Sequence, residues 1–150
     1  MEGYPLLAEP YQLGIVTVAA MNRPELKDRN QIADHLVEAV KEKMRTIFRI
    51  ALNHGHDSIV LGAWGCGAFK NPPQHIAKLF HQIMEEEEFL DRFRKIVFAI
   101  VDRRKLEIGP AKIGNFLPFQ KEFFKQKTDV QDARQQDGDS LFRRFFQRFK

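Results

Sequence analysis

The sequence predicts an α/β fold, a largely parallel sheet covered by helices. Three observations predict it. Short β-branched runs alternate with amphipathic stretches in the order strand, helix, strand, loop, helix, strand. The runs are almost continuously apolar, as strands buried on both faces are. Helix caps and turn residues stand where each change of period requires them.

Taken in order, a Pro-rich lead-in (Tyr4-Pro5, Glu9-Pro10) precedes GIVTVAA at residues 14–20, a short β-branched run predicted to be a buried strand. MNRP at 21–24 reads as a loop. From Gln31 to Asn53, Ile32, Leu36, Val37, Val40, Met44, Ile47, Phe48 and Ala51 recur at intervals of three and four, with Lys41, Glu42, Lys43 and Arg45 between them. That period describes an amphipathic helix, stopped by Asn53-His54-Gly55. SIVLG at 58–62 is a second buried strand and runs into a glycine loop. Asn71 is suited to N-cap the next helix and Pro72 to be its first residue, with Ile76, Phe80, Ile83 and Met84 as the apolar face. KIVFAIV at 95–101 is a third strand, closed by Asp102.

The chain of 150 residues, 43% hydrophobic, is long enough for one domain with a real core and too short to expect two. Cys66 is the single cysteine, so an internal disulfide is excluded. With no basic-then-apolar leader in view, a reducing, cytoplasmic setting is the expectation. No apolar run reaches the roughly 18 residues of a membrane span. Residues 103–150 differ in kind: they hold 12 of the 24 Lys/Arg, 6 of the 20 Asp/Glu and 8 of the 14 Phe. Residues 129–140 (DVQDARQQDGDS) read as a polar linker. After it, Leu141, Phe142, Phe145, Phe146 and Phe149 share one helical face, with arginines elsewhere. The division is therefore a core at 1–102 and a basic, Phe-rich helical tail at 103–150, packing on the core or on a partner. A solvated surface and an anionic partner both account for the tail's charge.

The stretch VLGAWGCGAFKNPP at 60–73 is where chemistry concentrates. A strand that ends in glycines and feeds a helix N-terminus lets backbone amides approach an anion, and the helix dipole favours negative charge. Ligands of open α/β sheets sit at the carboxyl ends of strands, where this loop falls. The loop is neither a Walker A sequence nor G-x-G-x-x-G. On pattern alone it is an anion site or a tight structural turn. His54 and His56 flank Gly55 without a third metal ligand in view. Cys66 reads as a small residue permitting close approach rather than a nucleophile, because no partner base is identifiable.

The series LLAEPYQLGIVTVAAMN, HGHDSIVLGAWGCGAFKNPPQHIAKLF and FRKIVFAIVD resembles the C-terminal half of the microbial-type poly(ADP-ribose) glycohydrolases, a branch of the macrodomain fold. The resemblance covers most of residues 4–102. It implies a macrodomain-like three-layer sheet with helices on both faces, truncated by loss of the N-terminal strands and catalytic loop. It also implies that Gly62, Ala63, Trp64, Gly65, Cys66, Gly67, Ala68 and Phe69 wrap the diphosphate and distal ribose of ADP-ribose, with Asn71 opening the helix behind and Asn22 on the first loop. Met21 stands where the family usually has proline, and Lys70 where it commonly has glycine. The family's catalytic signature, a glycine triplet followed by Gln-Glu-Glu, has no counterpart in the sequence, and Glu85 to Glu88 end a helix remote from the loop.

The expectation is thus a binder of ADP-ribose or a related nucleotide diphosphate that does not hydrolyse it alone, with no cofactor, no catalytic residue, no metal and no nucleic-acid partner. Two alternatives stand beside it. One is a split ADP-ribosyl glycohydrolase completed by another chain. The other is an interaction module acting through the tail. In a macrodomain a strand from the missing half lies between strands resembling GIVTVAA and SIVLG. Here either the two pair directly, or the protein is a homo-oligomer or takes a complementing chain.

Overall fold

A computed structural model describes residues 7–101 and 114–124. Its elements are β1 (Leu26–Asp28), β2 (Gln31–Ile32), α1 (Asp34–Asn53), β3 (Ser58–Leu61), α2 (Pro73–Met84), β4 (Lys95–Phe98) and α3 (Phe116–Phe124). Tyr4-Pro5, Asp102, the linker at 129–140 and the amphipathic stretch at 141–150 lie outside the described residues.

The α/β order and the parallel pairing hold for the two central strands. β3 and β4 run parallel, in register from Ser58 opposite Lys95 to Leu61 opposite Phe98. The Asp57 carbonyl accepts from the Arg94 amide (2.7 Å), and the Asp57 carboxylate from Arg94 Nε (2.9 Å), so one residue pair starts the ladder. That ion pair holds the Asp57 carboxyl below the usual carboxylate range.

Three expectations need correcting. Residues 14–20 form no strand: they join no ladder, and Ile15 is 82% exposed. A β-branched run becomes a strand only when a neighbour takes its peptide groups, and none does so among the described residues. Direct pairing with β3 is therefore not what the chain does. Second, α1 begins at Asp34, because Gln31 and Ile32 are taken by a small antiparallel hairpin with β1. The turn is tightened by the Asn30 amide donating to Asp28 Oδ1 (2.7 Å), an Asx-turn bond. Third, among the described residues helices cover one face of the sheet. Ile59, Leu61, Ile96 and Phe98 pack with α1, α2 and α3, whereas Val60 on the other face is 70% exposed.

The core is aromatic at its centre. Phe48 of α1 is fully buried and meets Phe80 of α2 edge-on, with centroids 6.2 Å apart. It also meets Phe89 and Phe93, which return from the turns after α2 at 5.4 Å each. Phe80 passes the contact to Phe98 of β4, and Phe98 stacks on Phe123 of α3 at 4.8 Å. The apolar periodicity of α1 and α2 is realised as expected, with Val40, Met44, Ile47, Phe48 and Ala51 facing Ile76, Phe80, Ile83 and Met84. α1 ends in a Schellman motif: the Gly55 amide donates to Leu52 and the His56 amide to Ala51, with Gly55 at φ +75°.

The acidic run after α2 is a clamp. Arg45 grips Glu86 with two bonds (2.7 and 2.9 Å), and Arg49 grips Glu88 the same way (2.6 and 2.7 Å). These bonds raise both guanidinium pKa values and lower that of Glu88. A fork-to-carboxylate geometry fixes the angle of the turn against α1. Among the described residues no helix is long and apolar enough to cross a membrane.

His75, in the first turn of α2, accepts the amide of fully buried Ile32 on its Nδ1 (2.9 Å), which locks the hairpin to the helix. That bond needs a neutral ring, and burial together with Lys78 holds the His75 pKa below its ordinary value. In the window between the two values the unfolded chain binds a proton that the folded chain refuses, so stability falls as pH falls. Melting temperature is expected to drop on acidification from neutral pH, with a shallower slope in His75→Asn, which keeps an acceptor near the Nδ1 position but does not titrate. Phe48→Ala is expected to cost about 3–5 kcal/mol in urea denaturation, the range for deleting a central core aromatic.

Candidate functional site

β3 ends at Leu61, and the chain turns through residues 62–71 before entering α2. Tight local bonds shape the loop: the Trp64 amide donates to Gly62 (2.9 Å), Cys66 to Ala63 (3.0 Å), Lys70 to Gly67 (3.1 Å) and Asn71 to Gly65 (3.1 Å). Between these, the amides of Gly65, Gly67, Ala68 and Phe69 meet no acceptor among the described residues. The loop thus presents a cluster of bare N–H groups beside the start of a helix.

Asn71 holds this arrangement, though not as the cap the sequence suggests. Pro72 is the N-cap and Pro73 the first helical residue, a position where a missing N–H costs nothing. Asn71 is 2% exposed, and its side-chain amide donates to Met21 O (2.7 Å) and Gly65 O (3.0 Å), with Phe69 O at 3.4 Å. It therefore binds the first loop to the glycine loop. Its Oδ1 is buried and meets no donor among the described residues.

The two loops touch again where the Arg23 amide donates to Phe69 O (2.7 Å). Asn22, exposed, lies between these two ties. Arg23 and Lys70, both exposed, take left-handed backbone at φ 47° and 58°. At Lys70 this is a conformation that glycine adopts more readily. Arg23 carries no sequence signal; only the fold sets it beside the loop.

Trp64 and Cys66 are structural in their visible bonds. The indole N–H donates to Val18 O (2.8 Å) and the ring meets Phe80 edge-on. The Cys66 thiol contacts Trp64 O at 3.5 Å, and burial pushes its pKa up to about 12. A thiol held that high is a poor nucleophile, which agrees with the small-residue reading. Phe69 is 39% exposed and offers its ring to solvent. Among the described residues no cluster of three or more His, Cys, Asp or Glu is arranged to hold a metal ion, and His54 Nδ1 lies 2.9 Å from Ile50 O.

Comparison with solved structures was made on this geometry. Poly(ADP-ribose) glycohydrolase from Deinococcus radiodurans, without ligand and in complex with ADP-ribose, matches over 61% of this chain and 34% of that chain, at 26% identity and a TM-score of 0.52. A second crystal form of the ADP-ribose complex matches at 27% identity and a TM-score of 0.50, over 59% of this chain and 33% of that one. The chain is similar to the bacterial poly(ADP-ribose) glycohydrolases. It spans about a third of the length of those glycohydrolases. No family model matches the chain, and neither does any curated protein sequence.

Two of the loop's glycine positions, half-buried Gly65 and exposed Gly67, separate structure from access. Gly65 is at φ +73°, and a Cβ there would stand 2.6 Å from both Ala20 Cβ and Asn71 Nδ2. Around Gly67 nothing lies within 4 Å of the same point. Gly65→Ala is expected to destabilise the protein by about 2–3 kcal/mol through strain and overpacking. Gly67→Ala is expected to stay within about 0.5 kcal/mol, as an unhindered surface change does, in the same denaturation experiment.

Proposed function

We propose that the chain binds ADP-ribose or a related nucleotide diphosphate in the 62–71 loop and does not cleave it unaided. The single observation that carries this is the cluster of bare amides at Gly65, Gly67, Ala68 and Phe69, held open by buried Asn71 next to the N-terminus of α2. Such amides form charge-assisted bonds to phosphate oxygens, and the helix dipole adds to them. Exposed Arg23 and Lys70 flank the loop with positive charge. Phe69 supplies an apolar surface for ribose or base. Similarity to glycohydrolases solved with ADP-ribose supports the choice of ligand.

Binding without hydrolysis follows from what the loop brings. It supplies donors and cations, whereas departure of a ribose-linked group needs a carboxylic acid at the glycosidic bond. In the acidic run after α2, Glu86 is held by Arg45 and Glu88 by Arg49.

Calorimetric titration of the full chain with ADP-ribose tests the proposal, run beside Gly67→Glu. That substitution enters open space, so its circular dichroism spectrum should match the parent's, while its carboxylate would occupy and repel the diphosphate position. Saturable binding to the parent, at least about tenfold weaker in the variant, is the expected result, equivalent to about 1.4 kcal/mol or more. No heat with the parent, or equal binding by both, would remove the loop from consideration.

A further inference from the structure

Arg23 and Lys70 stand side by side across one peptide group. The Arg23 amide donates to Phe69 O at 2.7 Å, and that carbonyl belongs to the peptide that leads into Lys70. Both residues are exposed, and among the described residues neither forms an ion pair. By contrast, Lys27 holds Asp34, Arg45 holds Glu86, Arg49 holds Glu88 and Arg94 holds Asp57. No carboxylate is supplied locally either, because residues 10–24 and 58–84 contain no Asp or Glu. Glu25, the acid nearest to Arg23 in sequence, lies against His35 Nε2 at 3.7 Å.

The backbone beneath both residues is unfavourable. Each is left-handed, Arg23 at φ 47° and Lys70 at φ 58°, which a residue with a Cβ rarely adopts. Pro24 adds to this at Arg23, since proline favours extended backbone in the residue before it. Like charges set beside each other also repel. Strain and repulsion thus meet at one edge of the loop, and backbone strain of this kind gathers where a ligand is held. Negative charge next to both side chains relieves the repulsion. The bare amides of Gly65, Gly67, Ala68 and Phe69 already serve a diphosphate, so the two cations are placed for charge beyond it.

We propose that Arg23 and Lys70 set the specificity of the loop by charge. Within the nucleotide diphosphates proposed above for the loop, a reading on which this one rests, they favour a ligand whose phosphate chain ends free over one closed by a second sugar. An internal phosphate carries a single negative charge, whereas a terminal one carries about 1.5 to 2 at neutral pH. Two exposed cations at the loop's edge act on that extra charge. The capping sugar of ADP-ribose offers hydroxyls instead, which bond a cation less strongly than a phosphate oxygen does. ADP and ADP-ribose share adenosine and the diphosphate and differ only at this end, so together they isolate the effect.

The test is calorimetric titration of the full chain with ADP and with ADP-ribose, in about 50 mM and about 300 mM salt. The parent runs beside a double variant, Arg23→Gly with Lys70→Gly, which removes both charges and suits both backbone angles, so its circular dichroism spectrum should match the parent's. Both ligands are expected to bind the double variant more weakly. The ratio of ADP to ADP-ribose affinity is expected to fall at least about fivefold, the scale of two Coulomb contacts to one added charge. In the parent that ratio is expected to shrink as salt rises, and in the variant to stay nearly constant. Arg23→Lys with Lys70→Arg keeps both charges and is expected to keep the ratio. Should glycine loosen the loop, Arg23→Gln with Lys70→Gln removes the charges at similar length and gives the same readout. An unchanged ratio in the uncharged variants, with both ligands bound by the parent, overturns the charge selection and leaves the loop as a nucleotide site. No heat with either ligand overturns the nucleotide site itself, and the selection with it.

Discussion

The buried carboxamide of Asn71 is the interaction on which the upper end of this structure depends. Its Nδ2 joins two carbonyls that belong to distant chain segments, Met21 and Gly65, and its own backbone amide also donates to Gly65. One residue thereby sets the curvature of the glycine loop and the seat of the first loop against it. The arrangement carries a cost, since its Oδ1 is buried with no donor in the described residues, and such an orphan is worth about 1–3 kcal/mol. That cost is offset by the tight packing that the same geometry permits, with Gly65 pressed onto Ala20 and Asn71 where no other residue fits.

From this point the structure reads downward in two directions. Through Trp64 the loop is anchored to Phe80, and through Phe80 to the aromatic chain that links α1, α2, β4 and α3. A loop fixed to such a core is preorganised, so a ligand it binds need not pay to order it. Through Met21 and Arg23 the loop instead holds segment 14–20, whose far end comes up against His56. The rigid and the open parts of the protein meet at Asn71.

Much of this was legible in the sequence. The period of residues 31–53 foretold the buried face of α1, and Asn53-His54-Gly55 its end, because helical spacing and a left-handed C-terminal glycine are local properties. SIVL and KIVF were legible as strands, and the glycine stretch as the loop between a strand and a helix. Less legible were the features that depend on distant partners. GIVTVAA has the composition of a strand but joins no ladder among the described residues, and Ile32 has a helical period but gives its amide to His75. Phe89 and Phe93 carry no periodic signal, yet they close the core over Phe48.

The sequence by itself determined the α/β order, the helix faces, the glycine loop and the absence of a glycine triplet with its Gln-Glu-Glu segment. These follow from residue type and spacing within a few turns of chain. Only the tertiary structure decided that Asn71 ties two loops instead of capping a helix, that Arg23 stands beside the loop, and that Glu86 and Glu88 are held by arginines of α1. It also decided that, among the described residues, β3 pairs with β4 alone. Each of these is a hydrogen bond, or the lack of one, between residues far apart in sequence, and a periodicity has no means of recording it.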